Sequence, residues 1–256
     1  MNIKGIIFDI NGTLIDISTD EGMDEIYRAI SHFLTYQGIH LHRGEVRDQY
    51  YRIMEEQVKA REEEYPEFDA VALWREFLAR NLNSAWRLPS DRLEAIPRFL
   101  AEMYRGISRH RLELYPDVKS VLDELKPRFP LAVVSDGQSA WALPEMRALG
   151  IDSYFDPIVV SGDYGVRKPD PRLFQAALDG IGADPEEVLF VGNDMYRDVF
   201  GAAQMGMKTV YLASNQGRRH MEGVKPDYII YRFAELRQAI EFFARLPLDP
   251  GEKTDR

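Results

Sequence analysis

The chain has 256 residues, 45% of them hydrophobic and 29% charged, which suits one large domain or a core with a smaller domain attached and excludes disordered and fibrous classes. Forty-two acidic residues against 32 basic ones leave a net charge of −10. Such a surface repels nucleic acid and anionic membranes, so neither is expected as a partner. Cysteine is absent, which rules out a disulfide scaffold, a thiolate zinc site and thiol catalysis. No apolar run approaches the roughly 20 residues of a membrane span. Met1-Asn2-Ile3-Lys4 leads into a strand-like run rather than a signal-peptide core, so the expected location is cytoplasmic.

Residues 5–9 open the chain with a short, continuously apolar run, as expected of a strand buried on both faces of a parallel sheet. From 19 to 107 the pattern turns helical. Ile26, Ile30, Phe33 and Leu34 form one apolar stripe. Val71, Leu73, Trp74, Phe77, Leu78 and Leu82 form a second, with Asp69 placed as its N-cap, and Ile96, Phe99, Leu100 and Met103 form a third. Trp74 and Trp86 are expected inside this helical block. A strand–helix rhythm then sets in: helix 116–126, strand 131–135, helix 140–149, strand 157–161, helix 171–178, strand 188–192, helix 198–205 and strand 209–212. A weaker strand at 228–230 and a helix at 234–243 close it. This alternation predicts an α/β fold with a doubly wound parallel sheet. Residues 1–18 and 108–256 should form the core domain, and 19–107 an inserted helical cap over the C-terminal sheet edge, where ligands bind in open α/β folds.

The polar residues at that edge carry the chemistry. Asp9 ends the first strand, in Phe8-Asp9-Ile10-Asn11-Gly12-Thr13-Leu14, and Ser135-Asp136-Gly137 ends the second. Lys168 follows the third, ahead of Pro169-Asp170-Pro171, and Asn193, Asp194 and Asp198 follow the fourth. Parallel strands bring these loops together. Carboxylates this close repel, a divalent cation would keep them ionised, and oxygen ligands without thiols favour Mg²⁺. Lys168 would offset remaining charge, Ser135 and nearby N–H groups would donate to phosphate oxygens, and Asp9 is the candidate nucleophile.

Through these motifs, in this order and with this insertion point, the chain resembles the haloacid dehalogenase-like (HAD) hydrolase superfamily with a helical cap of the C1 type. The resemblance runs from Met1 to about Leu236. It implies a Rossmann-like core, Asp9 and Lys168 as catalytic residues, and a substrate-binding set of Asn11, Ser135, Asp136 and Lys168, although Asp136 by itself reads as a loop residue. It also implies Mg²⁺ held by Asp9, the backbone carbonyl of Asn11, and Asp194 or Asp198. Asp194 is preferred because it lies just past the strand. Two positions depart from the family pattern. Asn11 stands where the phosphatases of the family carry the aspartate that protonates the leaving oxygen, and Gly192-Asn193 replaces the usual Gly-Asp.

The leading expectation is a Mg²⁺-dependent phosphatase acting on a small phosphorylated metabolite through an aspartyl intermediate, with its usual acid/base aspartate replaced by Asn11. The alternatives are a 2-haloacid dehalogenase, whose leaving halide needs no proton, and a catalytically weak or inactive phospholigand-binding protein. His40 and His42 lack a third metal ligand and read as surface residues. Arg218-Arg219-His220 reads as a solvated loop, with contact to an anionic ligand as the alternative. Trp141 is placed in the insert core or facing the cleft.

Overall fold

A computed structural model describes residues 1–82 and 89–245 of the chain, so Trp86 lies outside the described residues. The first strand, β1 (Gly5–Phe8), is followed by β2 (Ile15–Thr19) and four helices: α1 (Asp24–Tyr36), α2 (Arg43–Ala60), α3 (Ala70–Asn81) and α4 (Ser90–Ser108). The chain returns through β3 (Arg109–Leu114) and α5 (Val118–Leu125) to β4 (Leu131–Ser135) and α6 (Ser139–Ala148). Next come β5 (Ile158–Val160), the single turn α7 (Ser161–Tyr164), α8 (Pro171–Ile181) and β6 (Val188–Gly192). A wide π-helical turn, Met195–Phe200, leads into α9 (Gly201–Gln204). The chain then forms β7 (Lys208–Leu212), β8 (Tyr228–Ile230) and α10 (Leu236–Arg245).

Six strands form one parallel sheet in the order β5-β4-β1-β6-β7-β8. The pleat divides its side chains between two cores. Ile6, Phe8, Leu131 and Val133 pack with α5, α6 and α10, whereas Ile7, Ala132, Val134 and Phe190 pack with α8. Both faces are covered, which is why these strands read as unbroken apolar runs. Each such aliphatic or aromatic side chain contributes about 1.5–3 kcal/mol by leaving water. The chain winds outward from β1 in both directions, so β1 marks the switch point and the crevice beyond its C-terminal end is where a ligand belongs. No helix among the described residues is long and apolar enough to cross a membrane.

The four helices of the insert have a core of their own, built on Ile26, Ile30, Leu34, Leu73, Trp74, Phe77, Ile96 and Leu100. Asp69 caps α3, accepting from the N–H groups of Val71 at 2.8 Å and Ala72 at 2.9 Å, a cap worth about 1 kcal/mol. Phe99, expected in the third stripe, is exposed and meets Phe33 with ring centroids 4.9 Å apart. Trp141 of α6 joins this core rather than facing the cleft. Its ring stacks on Tyr104 at 6.1 Å, and its indole N–H donates to the Ala101 carbonyl at 2.8 Å. Arg105 of α4 is paired with the buried Glu145 of α6 at 2.7 Å.

Two local expectations are corrected. β2 and β3 pair as an antiparallel ribbon through which the chain enters and leaves the insert. Their alternating, largely polar sequences carry no buried-strand signal. The helix expected from Asp198 begins instead at Met195, with Asp194 as its N-cap, and the wide turn moves Asp198 into the helix interior.

Candidate active site

Asp9 leaves β1 at the switch point, its N–H donating to the Val191 carbonyl at 2.9 Å. The chain turns at once, with the N–H groups of Leu14 and Ile15 both donating to the Ile10 carbonyl. Gly12 permits this turn. Its φ is +90°, and a Cβ there would lie 2.2 Å from the Asn193 amide. The Thr13 hydroxyl lies 3.0 Å from Asp9 Oδ2 and 3.1 Å from Asn193 Oδ1, tying the first loop to the fourth.

Lys168 is the hub. Its Nζ donates to Asp9 Oδ1 at 2.7 Å, Asp198 Oδ1 at 2.7 Å and the Val134 carbonyl at 3.0 Å, which uses all three ammonium protons. Burial alone would lower the lysine pKa, but the charges of Asp198, Asp9 and Asp136 outweigh it and hold the ammonium above its usual range. Burial pushes the Asp198 carboxyl up to about 6, opposed by the charge of Lys168 and reinforced by that of Asp9. The other oxygen of Asp198 accepts from the N–H groups of Asn193 at 3.0 Å and Asp194 at 2.9 Å. Gly192 makes room for it, since a Cβ there would lie 2.4 Å from that of Asp198.

Asp194 faces different partners. It accepts from the N–H groups of Tyr196 and Arg197 at the helix start, from the Arg218 N–H at 2.9 Å, and from the Arg197 guanidinium at 2.9 Å. Burial would raise its carboxyl, but these donors outweigh it and hold the pKa below the usual range. Asp136 accepts the Lys168 backbone N–H at 2.8 Å, with Arg197 at 3.7 Å and Arg167 at 3.9 Å.

A cavity of about 170 Å³ gathers Asp9, Asn11, Asp136, Lys168, Asp194 and Asp198, along with Arg167, Arg197 and Asn193. Of the expected site residues, Ser135 alone is not in its wall. Ser135 is buried at the end of β4, its hydroxyl 3.4 Å from the Asp136 carbonyl. Four carboxylates against three cations line the cavity, so an entering phosphate would add to a negative balance that a divalent cation reverses. Asn11 Oδ1 is buried there without a hydrogen-bond donor. An orphaned oxygen beside a carboxylate, with no sulfur ligand, fits a hard cation such as Mg²⁺. Among the described residues no group of three or more His, Asp or Glu is clustered as a metal cage. His42 instead caps α2, its Nδ1 accepting from the Gly44 N–H at 3.2 Å.

The insert also sends to this edge residues that carry no signal in the sequence. Glu67 N–H donates to the Gly165 carbonyl and Arg167 N–H to that of Tyr65, so the insert pairs with the loop carrying Lys168. Gln138 clamps the same segment, donating to the Phe68 carbonyl and accepting from the Ala70 N–H, each at 2.8 Å. Glu67 is buried and accepts from the Ser161 hydroxyl at 2.9 Å. Burial raises its carboxyl above the usual range, with Arg167 and Ser161 opposing. None of these residues lies at a motif spacing, so only the fold brings them to the site.

A polar cavity at the switch point of a doubly wound sheet, with its charged side chains drawn from strand-end loops, is the ligand site of an open α/β protein. The chain belongs to the haloacid dehalogenase-like hydrolase family, whose model matches residues 3–206. It is 28% identical over 250 residues to the glyceraldehyde 3-phosphate phosphatase of Pyrococcus furiosus, covering 95% of this chain and 94% of that one. It is 33% identical over 153 residues to the phosphoserine phosphatase of Thermus thermophilus, a match that spans 57% of this chain and 59% of the relative. Among solved structures, the 2-haloacid dehalogenase of Pseudomonas syringae superposes with a TM-score of 0.67 at 23% identity, covering 94% of this chain and 99% of that one.

Proposed function

We propose that the chain is a phosphatase that transfers the phosphoryl group of a small phosphorylated substrate to Asp9 and then to water. The observation that carries this reading is the buried Asp9 carboxylate, paired with Lys168 at 2.7 Å in the wall of the cavity at the switch point. An Asp9 oxygen attacks phosphorus, and the bond to the leaving oxygen breaks with its electron pair. Water then cleaves the aspartyl phosphate, returning Asp9 as a carboxylate and releasing phosphate. Lys168 fixes Asp9 in place through the 2.7 Å hydrogen bond from its Nζ. When bound, Mg²⁺ would offset charge on the transferring group. Asp9, Asn11 and Asp194 would hold it. Asp194 is preferred to Asp198 because it lies just past the strand and its side-chain partner Arg197 is 40% exposed. The helical insert, 19–107, serves as the lid, a role supported by its backbone pairing with the Lys168 loop.

Asn11 has no proton to give a departing oxygen, so this reading favours leaving groups stable as anions, such as acyl and aryl phosphates. The same amide favours a second reading, 2-haloacid dehalogenation, because halide leaves without a proton. Phosphate and halide release from graded phosphate esters and 2-haloacids, with and without Mg²⁺, separates the two. The phosphatase reading expects Mg²⁺-dependent phosphate release that Asp9→Asn abolishes. It also expects Asn11→Asp to raise alkyl phosphate turnover by about 10²-fold or more. Metal-independent halide release, or no turnover of any phosphate, overturns it.

A further inference from the structure

A second cavity, of about 400 Å³, opens beside the first and shares Arg167, Lys168, Asp194 and Arg197 with it. Its own wall comes from Tyr65 and Pro66 of the insert and from Tyr196 and Arg218 in the loops after β6 and β7. The two tyrosine rings meet edge to face with centroids 6.4 Å apart, and the Arg218 guanidinium lies 5.2 Å over the Tyr196 ring.

The arginines differ in their partners. Arg167 has Glu67 at 3.4 Å and Asp136 at 3.9 Å, and Arg197 has Asp194 at 2.9 Å and Asp136 at 3.7 Å. Arg218 forms no ion pair with any described carboxylate. Its backbone is nevertheless pinned on both sides: its N–H donates to Asp194 Oδ2 at 2.9 Å, and its carbonyl accepts from the Met195 N–H at 2.8 Å. The preceding Gly217, at φ +77°, allows this approach, since a Cβ there would lie 2.5 Å from the Asn193 carbonyl. An exposed guanidinium with no ion-pair partner, resting on the Tyr196 ring in the wall of a cavity contiguous with the nucleophile, is suited to receive an anionic group. Such a site is local, because a chain of net charge −10 offers anions no general attraction.

We propose that this cavity holds the leaving group, and that the substrate is a phosphate monoester whose leaving group bears a second anionic group, bound by Arg218, next to a flat or apolar body packed on Tyr65 and Tyr196. The inference rests on the phosphatase reading of Asp9. It is tested with two esters of similar size and leaving-group acidity, 4-carboxyphenyl phosphate and 4-carbamoylphenyl phosphate, which differ in the charge of the para substituent. Native protein should prefer the carboxylate about tenfold in kcat/KM, equivalent to about 1.4 kcal/mol. Arg218→Gln should bring the ratio close to one, and Arg219→Gln, outside the cavity wall, should keep the native ratio. Equal rates in the native protein, or a preference that survives Arg218→Gln, overturns the proposal. If neither ester is hydrolysed, the phosphatase reading is judged separately by turnover across the graded phosphate esters. The subsite is then judged by calorimetric binding of 4-carboxybenzylphosphonate against 4-carbamoylbenzylphosphonate, where the same tenfold preference supports it and equal affinity overturns it.

Discussion

Asp9 and Lys168 stand 159 residues apart in the chain and 2.7 Å apart in the fold. Their pairing ties the loop after β1 to the loop ahead of α8. With Asp198 also at 2.7 Å, the buried Lys168 serves two buried carboxylates.

Lys168→Met is therefore expected to destabilise the protein by about 3–5 kcal/mol, because it leaves buried negative charge uncompensated. Urea unfolding measures this. Adding Asp198→Asn to Lys168→Met should recover part of the loss. A double variant no more stable than the single one would show that the charge of Asp198 is not what Lys168 balances.

Glu67 supplies a pH signature. Its carboxyl titrates above the ordinary 4.5 in the folded chain. The stability tied to its neutral form is therefore complete below about pH 4.5 and is lost as pH rises through the folded pKa. Glu67→Gln cannot ionise and should escape that loss. The melting temperature of the variant minus that of the native protein should thus grow as pH is raised from about 4 to 8. A difference that stays constant or shrinks would contradict the assignment.

Saturating Mg²⁺ should raise the melting temperature of native protein, since a ligand bound only by the folded state stabilises it. Asp194→Ala should abolish that rise. A full response in Asp194→Ala, together with none in Asp198→Ala, would transfer the ligand role to Asp198.

The six parallel strands were legible in the sequence because burial on both faces demands unbroken apolar runs, as in Ile6, Ile7 and Phe8. Asp69 was legible as a cap because its partners are its own next residues. The loop after β6 was harder to read. Asp194 and Asp198 both line the cavity, but the wide turn between them directs one to Arg197 and the other to Lys168. That division depends on helix geometry, not on spacing. Tyr65 and Glu67 gave no signal because their partners come from remote loops, and the basic run Arg218-Arg219-His220 looks the same whether it meets solvent or a cavity.

The β2–β3 ribbon has a consequence for how such a molecule diversifies. The chain departs for the insert and returns from it along paired strands, Ile17 opposite Leu112 and Asp16 opposite Glu113, so the two ends of the insert lie about 5 Å apart. Any module whose termini are equally close can be grafted at that point without moving a strand of the main sheet. α6 and the turn before it restrict such an exchange, because Gln138 bonds to the insert, Trp141 packs inside it and the buried Glu145 takes its charge partner from it, so a replacement module must supply new partners for all three.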